Sequence, residues 1–157
     1  MLIQFKEYFT FETIFLWSSI GILPFWLMLI FIPNSRVTQI FVNSIIIPLI
    51  LGTTYVYIGY QNFLLEEPFV NFFKFSLNLD DLYTLFSNEG FLLLFWLHFL
   101  VLNLFVASWV SRDAIKYGIP NAVVLPPLLL VYFFGPLGLV LYWLIRIFYA
   151  KKLGFHD

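Results

Sequence analysis

Chemistry in this chain has to come from a few polar side chains set among apolar ones, of which His98, Asn103, Arg112 and Asp113 are the most conspicuous. A polar group at membrane depth costs several kcal/mol unless it is paired, so each needs a reason to be there. His98 sits in Phe95-Trp96-Leu97-His98-Phe99-Leu100. An imidazole titrates near neutral pH and can give or take a proton. The same ring can instead bond a neighbouring helix, or ligate a metal such as the magnesium of a chlorophyll. At 100° per residue, His98, Phe105, Trp109 and Arg112 fall within about 40° of one another, while Asn103 points about 140° away. One helix face therefore carries an imidazole, two aromatic rings and a guanidinium, and Asn103 is expected to bond another helix. Arg112 and Asp113 are neighbours and cannot face each other on a helix, so their partners lie elsewhere. Arg146 is one candidate and the carboxylates of the long second loop are others; alternatively the two simply cap a helix end with interfacial charge.

Other chemistries are excluded or weakened. The chain has no Cys, which removes disulfides, thiolate catalysis, Cys-based zinc sites and iron–sulfur clusters. A non-haem metal site wants several converging His or carboxylate ligands. Only His98 lies within an apolar run, since His156 is in the polar tail, and no protein metal centre is expected. A net charge of −1 without a basic block argues against nucleic acid. The 21 Phe, 9 Tyr and 5 Trp fit either interfacial belts, as for Trp17, Trp26, Tyr142 and Trp143, or a groove that stacks a rigid apolar ligand. A polyene of bilayer length with polar end rings fits such a groove, although composition does not select it over another lipid.

The elements that must position these residues are helices in lipid. Of 157 residues, 62% are hydrophobic and 11% charged, with a mean hydropathy of +0.93. A water-soluble surface uses roughly 25% charged residues. Runs of about 20 apolar residues span a bilayer, and four qualify: 13–32, 37–60, 91–110 and 122–149. The expectation is all-α, a single transmembrane domain over 1–157 built as a bundle of four helices. The fourth run exceeds the hydrocarbon thickness and holds Pro126-Pro127 and Phe134-Gly135-Pro136, so a kink or break is expected near Gly135 and Pro136. The loop 61–90 is acidic (Glu66, Glu67, Asp80, Asp81, Glu89) and rich in Phe (63, 69, 72, 73, 75, 86). Asn78 can cap a short helix there whose Leu79, Leu82, Leu85 and Phe86 form one stripe, lying on the membrane surface or as a lid. Residues before Thr10 read as an interfacial lead-in to a retained first helix. Four crossings place Lys6, Lys74, Arg146, Lys151 and Lys152 opposite Arg36, Arg112 and Lys116, favouring cytoplasmic or stromal termini.

The residues 95–100, Asn103-Leu104-Phe105-Val106-Ala107, Arg112-Asp113-Ala114, Gly118-Ile119-Pro120 and Phe134-Gly135-Pro136-Leu137-Gly138-Leu139 resemble the abscisic-acid-deficient-four family, also called the neoxanthin-synthase type. Weaker similarity reaches back through Pro24, Pro33-Asn34, Pro48 and Tyr55-Val56-Tyr57. The resemblance implies a four-helix protein of a bacterial inner, cyanobacterial or plastid thylakoid membrane that binds or modifies carotenoids. If catalytic, it would be a cofactor-independent isomerase that opens an epoxide and removes a proton to leave an allene, as in neoxanthin formation. Mapped here, His98 and Asp113 are the catalytic candidates. Trp96, Asn103, Phe105, Trp109 and Arg112 are the candidate ligand contacts, with Arg112 and Asp113 near an end ring. The family usually carries an acid where this chain has Asn103; an amide cannot act as a base, whereas binding survives the change. Implied partners are membrane lipid, a bound carotenoid or chlorophyll, and a second copy or larger complex. The competing reading is a non-enzymatic accessory subunit of a photosynthetic pigment–protein complex. A channel is disfavoured because the runs supply too few inward polar groups.

Overall fold

In the computed structural model, the residues described are 9–44, 46–61 and 78–151. The expected N-terminal lead-in, the Phe-rich and acidic part of the second loop with Glu66 and Glu67, and His156 fall outside them. Among the described residues every regular element is a helix: α1 Phe11–Gly21, α2 Leu23–Phe31, α3 Arg36–Phe41, α4 Ile46–Gly59, α5 Leu79–Phe86, α6 Glu89–Lys116, α7 Asn121–Phe134 and α8 Pro136–Ala150.

Local chemistry accounts for their ends. The Thr10 side chain accepts from Thr13 N, and that of Ser35 accepts from Thr38 N, each supplying a partner to an orphan N–H of a first turn. Asn78 caps α5 in the same way, accepting from Asp80 N, with Asp80 and Asp81 in the first turn where the helix dipole favours negative charge. Pro24 and Pro48 fall at the second and third positions of α2 and α4, where a missing N–H costs least.

Three helical stretches are long and apolar enough to cross a membrane: Phe11–Phe31 (21 residues), Arg36–Gly59 (24) and Glu89–Lys116 (28). The fourth apolar run behaves differently. It forms two shorter helices, α7 of 14 residues and α8 of 15, which pack against each other rather than continuing end to end.

The chain divides into two compact units. One comprises described residues of Met1–Ile22 with Pro48–Val101, the other Leu23–Ile47 with those of Leu102–Asp157. In the first, Ile14, Ile58, Leu93, Leu94 and Leu97 form a buried cluster between α1, α4 and α6. Trp96 braces α6 to α1, its indole N–H donating to Ser19 Oγ at 2.8 Å. In the second, the α7–α8 pair packs on the C-terminal half of α6.

Candidate functional site

The second unit holds a largely buried ion pair, Asp113 with Arg146. Trp109 and Asp113 on α6, with Tyr117 just past its end, recur every fourth residue, and Tyr142 and Arg146 do so on α8, so each side presents a stripe. Where the stripes meet, Asp113 Oδ2 accepts from Tyr142 Oη at 2.6 Å and from Arg146 Nε at 2.7 Å. Arg146 Nη2 donates to Tyr117 Oη at 3.2 Å. Its guanidinium lies over the rings of Tyr117 and Trp143 at 4.8 and 4.9 Å. Trp109 adds an edge contact to Tyr142 and a stacked one to Trp143. Arg146 and Tyr142 are buried, while the Asp113 side chain is 10% exposed.

Burying a charge this deeply is tolerable only with a counter-ion and satisfied donors. Arg suits the task because its planar, weakly hydrated fork can bond a carboxylate and stack on aromatic faces together. Asp113 is held through one oxygen; the other accepts no hydrogen bond from the described residues and belongs to the partly exposed side chain. A fixed carboxylate with a spare oxygen beside aromatic faces can accept a proton or a hydroxyl hydrogen bond from an apolar ligand's polar end.

Asn103 serves the fold of this unit. In a continuous helix the Tyr132 carbonyl would accept from the N–H of residue 136, but residue 136 is Pro and has none. The Asn103 amide takes that place, Nδ2 lying 3.5 Å from Tyr132 O. Its Oδ1 meets the chain reversal at Gly135, whose φ is +46°; a Cβ there would come within 2.6 Å of that oxygen. A carboxylate at 103 could not donate to the carbonyl, which gives a physical reason for the amide in this chain. Asn103→Leu, leaving the buried carbonyl unpartnered, is expected to cost about 1–3 kcal/mol, read as a lower thermal midpoint in detergent.

The remaining sequence candidates are dispersed. In the first unit His98 is exposed, accepts and donates no hydrogen bond among the described residues, and has Tyr55 as its ring neighbour at 6.3 Å between centroids. Trp96, besides its bond to Ser19, stacks on Phe99. In the second unit Phe105 is exposed, and the exposed Arg112 bonds the Ser108 carbonyl through Nε at 3.4 Å. The sequence reading paired Asp113 with Arg146 among its options; it gave Tyr142 and Trp143 only a belt role and passed over Tyr117, although the four-residue spacing on both helices was available as a signal. Nearby, Ser108 Oγ donates to Asn43 Oδ1 at 2.8 Å, and among the described residues the buried Asn43 Nδ2 and Ser111 Oγ have no hydrogen-bond partner. No group of three His, Asp or Glu that could hold a metal occurs among the described residues.

The profile of the family described as ABA DEFICIENT 4-like matches residues 13–142. The chain is 29% identical over 107 residues to Protein ABA DEFICIENT 4, chloroplastic, of Arabidopsis thaliana, a match covering 67% of this chain and 49% of that protein. It thus spans about half the length of this relative. No solved structure matches.

Proposed function

Because the chain belongs to the ABA DEFICIENT 4-like family, we propose that it is an integral membrane protein that binds an oxygenated carotenoid and acts on its end ring. The single observation that carries this reading is Asp113, pinned by Tyr142 and Arg146 at 2.6 and 2.7 Å and flanked by Trp109 and Trp143. Rigid aromatic faces suit a polyene's flat end, and the free carboxylate oxygen suits its hydroxyl or epoxide.

The chemistry we assign is a redox-neutral isomerisation. Asp113 takes a proton from the polyene carbon beside the ring, the electron pair shifts to form the cumulated double bond, and the epoxide C–O bond opens. The released oxygen then takes a proton back from the same carboxyl group, so the formula is unchanged. Arg146 and Tyr142 act as positioning residues that hold the Asp113 carboxyl group in place through its Oδ2.

The test is co-expression with a violaxanthin-producing pathway in a bacterial host, followed by pigment extraction. An allenic isomer of unchanged mass is expected with the parent chain. The near-isosteric Asp113→Asn, which removes the base and also leaves Arg146 without its counter-ion, should lose about 10²–10⁴-fold of the conversion per folded protein while the folded fraction still yields pigmented protein. Unchanged pigments together with colourless purified protein would overturn the reading.

The outward-facing His98 supports a second reading, an accessory pigment-binding subunit. An imidazole exposed within the apolar stretch 91–102 of α6 has a ring nitrogen available for the metal of a chlorophyll-type ring, and a single axial ligand suffices there. A tetrapyrrole absorption band that co-purifies and disappears in His98→Ala would favour it; a His98→Ala protein that converts carotenoid normally would favour the first.

A further inference from the structure

We infer that α7 and α8 enter and leave the membrane on one side, as a re-entrant hairpin, and that this side is the cytoplasmic (or stromal) one, to which the Asp113 cluster opens. This inference stands independently of the ligand's identity.

Contacts at two depths along α6 carry it. About 20 Å of helix separates Asn103 from Lys116 at 1.5 Å per residue. Asn103 touches the reversal, at Tyr132 and Gly135. Towards the exit of α6, Trp109 meets Tyr142 and Trp143, and Asp113 meets Arg146. After Gly135 the chain therefore climbs back alongside the turns of α6 that α7 descended. A fourth full crossing would carry Arg146 roughly a hydrocarbon thickness, about 30 Å, from the exit of α6; a 2.7 Å ion pair with Asp113 is incompatible with that.

Two further observations agree. At 14 and 15 residues, α7 and α8 are about 21–22 Å long, too short to span. Non-helical backbone at membrane depth is tolerated only inside protein, and Gly135 is buried, with the Tyr132 carbonyl taken up by Asn103.

The hairpin reorders the charges. Three crossings place the Arg36 turn and the exit of α6 on one side, with Glu12, Asp80, Asp81 and Glu89 on the other. A returning α8 adds Arg146 and Lys151 to the first side. Every Lys and Arg among the described residues (Arg36, Arg112, Lys116, Arg146 and Lys151) then shares one face, and every described acid except Asp113 lies on the opposite one. The positive-inside rule makes the basic face cytoplasmic. Arg36, Arg112, Lys116 and Lys151 are exposed there, a rim that fits the anionic headgroups of that leaflet.

The chain contains no Cys, so single cysteines can report sidedness without background. Asn34→Cys, Lys151→Cys and Tyr83→Cys, each at an exposed position, are treated with a membrane-impermeant maleimide in spheroplasts and in inverted inner-membrane vesicles. Asn34→Cys and Lys151→Cys are expected to label only in inverted vesicles, and Tyr83→Cys only in spheroplasts. Labelling of Lys151→Cys together with Tyr83→Cys, opposite Asn34→Cys, would overturn the hairpin. Full reversal of all three would keep the hairpin and overturn the cytoplasmic assignment.

Discussion

Arg146→Met is expected to destabilise the protein by about 3–5 kcal/mol, because it leaves the Asp113 carboxylate buried without its counter-ion. The magnitude follows from placement: Arg146 is 1% exposed and donates to Asp113 at 2.7 Å. At the surface the same pair would be worth about 1 kcal/mol or less. The double variant Asp113→Leu/Arg146→Met removes both charges and is expected to recover most of the loss, since apolar replacement of a buried pair is often neutral or stabilising. Thermal midpoints of the three detergent-purified proteins measure the coupling. If Arg146→Met melts with the parent, the pair is not buried as described. The recovered double variant also separates roles: on the proposed chemistry, which assigns Asp113 as the base, it should fold and yet convert no carotenoid.

The second large effect concerns Gly138. A Cβ there would meet the Val131 amide nitrogen and come within 2.5 Å of the Pro127 carbonyl oxygen, so α8 rests its backbone directly against α7. Neither contact can swing aside as a side-chain end would. Gly138→Leu must separate the helices, moving Tyr142 and Arg146 one and two turns further along α8. Overpacking of a core costs about 1–3 kcal/mol, and a backbone clash places this variant at the upper end. The expected result is a lowered midpoint together with loss of Trp143 fluorescence shielding as the ring cluster opens. Gly52→Leu is the control, since a Cβ at Gly52 meets nothing within 4 Å; equal behaviour of the two variants would contradict close apposition.

What could be read from residue order was governed by composition and local chemistry. The three helices long and apolar enough to cross a membrane match the first three of the four apolar runs, and the Asn78 cap of α5 follows from a side chain able to bond its own backbone. The interruption near Gly135 follows from Pro136 lacking an N–H. Whether the chain bends there or turns back was not legible, because nothing local distinguishes the two. That choice is made by distant groups: the Asn103 amide supplying the missing donor, Gly138 admitting α7, and Asp113 capturing Arg146. His98 shows the converse. Its polarity singled it out at mid-helix, yet polarity alone does not say which way a helix face turns, and it faces outward beside Tyr55. Asp113 was marked as needing a partner, and Arg146 was among the partners named. The aromatic enclosure by Tyr117, Tyr142 and Trp143 needs two helices in register, which a single strand of sequence spacing does not specify.

The reversal at Gly135 also bears on biogenesis. Helices of 14 and 15 residues make poor independent insertion signals, and among the described residues the Tyr132 carbonyl takes its donor from Asn103. Threading of this segment thus has to wait until α6 is already seated, making it a passenger that folds onto a finished wall. A nascent chain stalled before that docking would present to lipid the Tyr132 carbonyl and the Arg146 cation that the finished fold encloses, each costly there without a partner.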